Sequence, residues 1–159
     1  MTAHVIPRFY RFFFTWLDPM IAFSGGLTDF VSPDFIVNSL VSKELRPELA
    51  VNPTYKFIFQ QAGGAMFAAG FLSVALLRAT NDLKIWKHVQ AAILIMDFAT
   101  LYSAWDTLRL QGRLMAGWRG EDWGTVGVTA FVTLLRIAFL AEVGFRPKPA
   151  SRVNQRTML

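Results

Sequence analysis

Residues 57–77 read FIFQQAGGAMFAAGFLSVALL and contain no charged side chain. A helix needs about 20 predominantly apolar residues to cross the hydrocarbon core of a bilayer, and this stretch supplies them without interruption. Its small residues also lie at spacings that let helix backbones approach closely in lipid; they are Gly63, Gly64, Ala65, Ala68, Ala69 and Gly70. The stretch therefore predicts a tightly packed transmembrane helix.

Three further windows are apolar enough to be membrane spans, at residues 9–31, 86–108 and 124–145. The first contains Asp18-Pro19, and the proline predicts a kink because it removes a backbone donor and clashes with the preceding turn. Together the four windows predict one all-α domain, an integral membrane four-helix bundle.

The overall composition supports lipid contact. Hydrophobic residues make up 53% of the chain and charged residues only 17%, whereas soluble domains carry about 25% charged residues. The net charge of +5 is explained by bases flanking the spans, so nucleic acid is not an expected partner. The absence of cysteine excludes disulfides and thiolate nucleophiles.

The distribution of Lys and Arg predicts the orientation of the spans. Nine bases lie at the N-terminus, between spans two and three and in the tail, against six on the opposite side. Bases concentrate in cytoplasmic segments, so both termini should face the cytosol and residues 146–159 should form a basic cytosolic tail. The endoplasmic reticulum is the expected membrane. The opposite side holds the one long loop, residues 32–55.

Ionisable side chains inside spans are costly, so each is a candidate for function. Asp18, Asp97 and Arg136 lie about nine, eleven and twelve residues into their windows. At about 1.5 Å of rise per residue, these depths agree to within a few ångströms. We therefore expect the three side chains to meet near the midplane.

One arginine cannot neutralise two aspartates. The excess carboxylate would favour its protonated form away from water, which is how proteins prepare a general acid. Asp97 and Asp18 are then the candidate acid and base, and Arg136 would set their charges or bind an oxyanion. The plain alternative is a staple between helices, with no chemistry at all.

Further polar and aromatic side chains are candidates for binding a substrate. Thr133 and Thr129 share a helix face with Arg136, one and two turns away respectively. The remaining candidates are Tyr102, Gln60, Trp105 and Trp123. The chain has only two histidines and neither a phosphate-binding loop nor a nucleophile elbow, so we expect no metal and no cofactor.

Five motifs are spread along the chain: LDP at 17–19, NDLKIW at 81–86, LYS at 101–103 after Asp97, EDWG at 121–124 and RIAF at 136–139. In these the chain resembles a fungal family of small integral membrane proteins classed as a domain of unknown function. The resemblance implies a four-helix membrane fold and brings no established reaction. In layout alone the chain also resembles the sterol isomerase and sigma-2 receptor superfamily, which uses four spans with intramembrane carboxylates.

These features lead to a functional hypothesis with open alternatives. The first is a cofactor-independent membrane enzyme that isomerises or cyclises a lipophilic metabolite, such as a terpenoid or polyketide of fungal secondary metabolism, by acid-base or pericyclic chemistry. The second is a non-catalytic protein that binds lipid or assembles membrane proteins. A proton-coupled transporter is a third, and a homo-oligomer is compatible with all three. An enclosed cavity reached by the polar side chains would favour the enzyme. A solid core in which Arg136 is fully paired would favour the non-catalytic protein.

Overall fold

The computed structural model describes residues 4–45 and 50–147, which form an all-α molecule. Its helices are α1 (Arg8–Val31), α2 (Pro33–Leu40), α3 (Lys56–Ala79), α4 (Leu83–Leu110) and α5 (Gly120–Leu140). Short 3-10 turns lie at Lys43–Leu45 and Pro53–Tyr55, and His4–Val5 pairs antiparallel with Arg146–Pro147. Most of the predicted basic tail, residues 148–159, and Arg46 lie outside the described residues.

Where the sequence predicts a kink, directly before Asp18-Pro19, the structure has a π-helical turn within one helix. Residues Phe13–Leu17 are π-helical, and the Asp18 amide donates to the Phe13 carbonyl five residues earlier. Pro19 has no N–H to offer the Thr15 carbonyl four residues before it. Arg78 of α3 takes the place of that donor, with Nη2 2.7 Å from Thr15 O. A side chain of another helix thus satisfies the carbonyl that the proline leaves unpaired.

Helices α1 and α3 run antiparallel in close contact. Phe23 packs on Gly70, and further along α1 Gly26 packs on Gly63. A Cβ built on Gly63 would lie only 2.8 Å from the Gly26 carbonyl oxygen, and one on Gly26 only 2.9 Å from that of Gly63. The close backbone approach predicted for residues 57–77 is confirmed.

Helices α4 and α5 form a second antiparallel pair, and the first half of α1 packs against both. Trp86 near the start of α4 lies beside Phe139 near the end of α5, with ring centroids 6.0 Å apart. Tyr10 of α1 packs edge-on against Phe139 at 5.3 Å and donates to the Val143 carbonyl at 3.1 Å. The start of α1, the end of α3, the start of α4 and the end of α5 therefore share one end of the bundle, called here the N-terminal end.

The long predicted loop contains a helix that the sequence reading missed. Helix α2 follows α1 after a bend of 108°. Pro33 occupies its first position and Asp34 the second, a combination that favours a helix start. The Asp34 carboxylate also accepts from the Val51 amide, which ties the end of the loop back onto α2.

The last helix ends five residues before the predicted limit of the fourth span at residue 145. Helix α5 stops at Leu140 and the chain turns over residues 141–144. Glu142 and Gly144 have positive φ values of 57° and 78°, which a continuing helix cannot accommodate. This turn sends the chain back to pair with residues 4–5.

Two helical segments, Pro53–Ala79 and Gly120–Leu140, are long and apolar enough to cross a membrane. A third crossing is added if Arg8–Val31 and Pro33–Leu40 are taken as one broken span. Helix α4 is long enough to cross at 28 residues, but its composition is less apolar and it is not one of these segments. Two or three membrane-spanning helices are consistent with an integral membrane protein.

The glycine contact gives the first prediction. Replacing Gly63 by leucine should push α1 and α3 apart and lower the free energy of unfolding in detergent by about 1–3 kcal/mol, a typical cost of overpacking. Gly64→Leu is the matched control, because nothing lies within 4 Å of a Cβ at Gly64. Unfolding followed by tryptophan fluorescence is the measurement, and equal losses in both variants would contradict the close contact.

Candidate functional site

A buried guanidinium joins three helices. Arg136 of α5 donates through Nη2 to Asp18 Oδ1 at 2.5 Å, through Nη1 to Asp97 Oδ2, and through Nε to Gln90 Oε1 at 3.1 Å. The side chain of Arg136 is 3% exposed, that of Asp18 7% and that of Asp97 14%. The predicted meeting of Asp18, Asp97 and Arg136 is confirmed, and both aspartates pair with the arginine. We call these four residues the Arg136 cluster.

The helix directions explain why the cluster forms. Side chains on a helix tilt toward its N-terminus. Helix α5 runs antiparallel to α1 and α4, so Arg136 extends away from the N-terminal end while Asp18 and Asp97 extend toward it. The π-helical turn comes directly before Asp18 and sets the direction in which that carboxylate leaves α1. The three charged groups therefore meet between their helices.

The Arg136 cluster carries one positive and two negative formal charges. All three guanidinium nitrogens, Nε, Nη1 and Nη2, donate to members of the cluster. Among the described residues, the buried Gln90 Nε2 and Ser73 Oγ have no hydrogen-bond partner. The cluster thus holds either a net negative charge or one added proton.

A layer of aromatic side chains covers the Arg136 cluster toward the N-terminal end. Phe14, Trp86 and Phe139 are each 0% exposed. Phe14 lies one helical turn before Asp18 and Trp86 one turn before Gln90. Phe139 lies one turn after Arg136. Phe14 and Phe139 pack edge-on with centroids 5.4 Å apart. This layer separates the cluster from the water at that end.

The predicted substrate-binding residues fall into two groups. Thr133 is buried and donates to the Thr129 carbonyl at 2.7 Å, on the same face of α5 as Arg136. The other candidates are exposed on the outside of the bundle: Gln60, Tyr102, Trp105 and Trp123. The structure places Thr133 beside Asp97, while the Thr129 hydroxyl donates to the Thr125 carbonyl one turn further away and the other four candidates lie away from the cluster.

The sequence reading missed a cleft at the N-terminal end. The cleft has a volume of about 460 Å³ and lies between the first turns of α1 and the last turn of α3. Its lining residues are Arg8, Arg11, Phe12, Thr15, Trp16, Leu77 and Arg78. The spacing of Arg8, Arg11 and Thr15 by three and four residues was a signal, since it puts them on one helix face. The partner helix was not foreseeable from the sequence.

A second buried ion cluster at the opposite end was also missed. Asp122, at 0% exposure, accepts from the side chains of Arg113 and Arg119 and from the Arg119 amide at 2.7 Å. Arg119 also donates to the Val41 carbonyl, and Gln111 to that of Leu40. The cluster holds the connection between α4 and α5 against the segment after α2. The helix-starting position of Asp122 within EDWG was the available signal.

Metal binding finds no support in the part of the chain that the structure describes, where no group of three or more His, Asp or Glu is placed to hold an ion. The donors that meet in the Arg136 cluster are already committed to a guanidinium.

A family model matches residues 3–146 and is described as a domain of unknown function, DUF7704. The chain belongs to the DUF7704 family. The match spans all five helices, both ion clusters and the cleft. No curated protein and no solved structure matches this DUF7704 chain.

The Arg136 cluster predicts unequal effects of its members on stability. Arg136→Gln leaves two buried carboxylates facing each other without a cation, and should lower the free energy of unfolding of this DUF7704 protein by about 3–5 kcal/mol. Asp97→Asn keeps an acceptor oxygen and removes the excess charge, so we expect a change of about 1 kcal/mol or less. Unfolding in detergent measures both; an Asp97→Asn loss as large as that of Arg136→Gln would refute the excess-charge description.

The second ion cluster gives a separate prediction. Asp122→Asn leaves two partly buried arginines without their carboxylate and should cost about 3–5 kcal/mol of unfolding free energy. Asp106→Asn is the control, because Asp106 pairs with Arg109 at 2.9 Å on the exposed surface of α4 and should cost about 1 kcal/mol or less. The Asp122 interpretation is wrong if the two variants melt alike.

Proposed function

We propose that this chain is a four-crossing integral membrane protein that binds a lipid and has no catalytic activity. The observation that carries the proposal is a contrast between its arginines. Arg136 binds two aspartates and Gln90 inside the bundle, whereas three arginines at the N-terminal end line an open cleft. The charged groups in the bundle interior would hold the helices together, and the cleft would receive the lipid.

Helix α4 supplies the fourth crossing in this proposal. Gln90 and Asp97 lower the mean hydropathy of this helix. Both side chains bind Arg136 inside the bundle and so stay away from lipid. Ile95 and Phe98 face outward and are 71% and 51% exposed, and the exposed Thr100 hydroxyl donates back to the Met96 carbonyl of the same helix. A helix of 28 residues is about 42 Å long, which exceeds the hydrocarbon core of a bilayer.

The charges at the N-terminal end support a cytosolic orientation for it. Among the described residues, six bases and two acids lie there: Arg8, Arg11, Arg78, Lys84, Lys87 and Arg146, with Asp82 and Glu142. Both acids are engaged, Asp82 with the Lys84 amide and Glu142 with the Lys87 ammonium. An excess of bases of this kind is typical of the cytosolic side, so both termini would face the cytosol.

The environment of the Arg136 cluster supports a structural role for it. Between helices in lipid there is no hydrophobic driving force, so hydrogen bonds and close packing must hold the bundle together. The aromatic layer covers the cluster on one side, and none of its four residues lines the cleft. A catalytic acid needs to reach its substrate, and neither aspartate lines the cleft; Asp18 is 7% exposed and Asp97 14%.

The cleft supports lipid binding because exposed apolar side chains lie beside its arginines. Phe12 and Trp16 are each 55% exposed, and they follow the arginines along α1 toward the membrane interior. A tryptophan beside cationic groups is typical of the membrane-water interface. A lipid with its head group among the arginines could lay its chains along these two rings.

An acid-base enzyme that isomerises or cyclises a lipophilic metabolite is the second candidate, and the excess carboxylate favours it. Thr15 in the floor of the cleft lies one helical turn before Asp18. A rearrangement of that single turn would connect the cleft with the cluster. Asp18 and Asp97 would then act as acid and base. Three points stay predictions from the sequence: a role in fungal secondary metabolism, a location in the endoplasmic reticulum and assembly as a homo-oligomer.

The two candidates respond differently to removal of the carboxylates. We expect purified Asp97→Asn and Asp18→Asn to retain the lipids that co-purify with the wild type, as measured by native mass spectrometry, since neither residue lines the cleft. Loss of bound lipid in both variants, with the fold intact, would contradict the proposal. Expression with candidate lipophilic substrates tests the enzyme: product that forms with wild type and disappears in both variants would replace lipid binding by acid-base catalysis.

A further inference from the structure

Three arginines converge on the cleft without an acidic partner. Arg8 and Arg11 come from the first turns of α1 and Arg78 from the last turn of α3. Within residues 4–45 and 50–147 no carboxylate forms an ion pair with any of them. Like charges around one cavity repel each other unless an anion lies between them.

Two of the three guanidinium groups are held in place by other contacts. Arg78 donates to the Thr15 carbonyl at 2.7 Å and lies over the Trp16 ring, with Cζ 4.1 Å from the ring centroid. Arg11 lies over Trp86 at 5.5 Å. These contacts use one N–H and the flat faces of the guanidinium groups, so the remaining N–H donors stay free for a ligand.

The free donors indicate the chemistry of the ligand. Guanidinium N–H groups match the oxygens of a phosphate in pairs, and several guanidinium groups around one site favour a multiply charged anion. The Thr15 hydroxyl already donates to the Arg11 carbonyl at 2.8 Å, so recognition would depend on the arginines. We propose that the cleft binds the phosphate of an anionic phospholipid, with the acyl chains lying along Phe12 and Trp16.

A membrane lipid fits this cleft better than a free phosphorylated metabolite. Beside its arginines the cleft is lined by the apolar side chains of Phe12 and Trp16. Both are exposed and follow the arginines along α1. A soluble phosphate would leave that surface uncovered. The inference rests on the proposed lipid binding and adds the head group that is selected.

The test compares variants of equal charge. Arg8→Gln with Arg11→Gln removes two cleft arginines, and Lys84→Gln with Arg146→Gln removes two bases from the same end that do not line the cleft. Arg78 is kept because it pairs with the Thr15 carbonyl. Binding to the full chain in detergent is titrated by native mass spectrometry with phosphatidic acid, phosphatidylcholine and glycerol 3-phosphate.

We expect the cleft variant to bind phosphatidic acid more weakly, by about fivefold for each arginine removed, with binding of phosphatidylcholine changed little. The control variant should match the wild type. Equal loss in the two variants would overturn the site, because net charge alone would then explain binding. Glycerol 3-phosphate binding as tightly as phosphatidic acid would overturn the lipid as the source. If the wild type binds neither lipid, the proposed function itself fails.

Discussion

The structure depends on the Arg136 guanidinium. The pair α1/α3 is joined by backbone contact at its glycines, and the pair α4/α5 lies beside it. The ion pair from Arg136 to Asp18 joins one pair to the other, and both side chains are almost fully buried. Taking these charges out of water is expensive, so the contact is specific: few other arrangements of the helices would let both carboxylates share one cation.

Charge is distributed unequally along the bundle. In the middle two carboxylates share one arginine, and at the opposite end Asp122 is paired with Arg113 and Arg119. At the cleft, no carboxylate of the described residues forms an ion pair with any of the three arginines. The first two clusters hold helices and connections in place through groups that satisfy each other. In the third, Arg78 satisfies the Thr15 carbonyl, and the proposed role of the remaining donors is to bind an external anion.

The sequence predicted the elements governed by composition and missed those governed by contacts between distant segments. Apolar length located four helices to within a few residues, except at the end of α5, where positive φ at Glu142 reverses the chain. The depths of Asp18, Asp97 and Arg136 were sufficient to predict that they meet, because helical rise is constant. The cleft was missed because Arg78 reaches Thr15 across 63 residues, and no local pattern encodes that distance. Helix α2 was missed because eight residues carry a weak periodicity.

The π-helical turn at Phe13–Leu17 makes α1 one residue longer than a regular helix that joins the same two points. Each residue of an α-helix turns the chain by about 100°. A deletion within this turn would therefore rotate everything before it, taking Arg8, Arg11 and Tyr10 off the faces they now occupy while Asp18 stayed beside Arg136. The cleft at one end and the charge cluster below it are thus kept in register by chain length, and insertions or deletions in these five residues would separate them where substitutions would not.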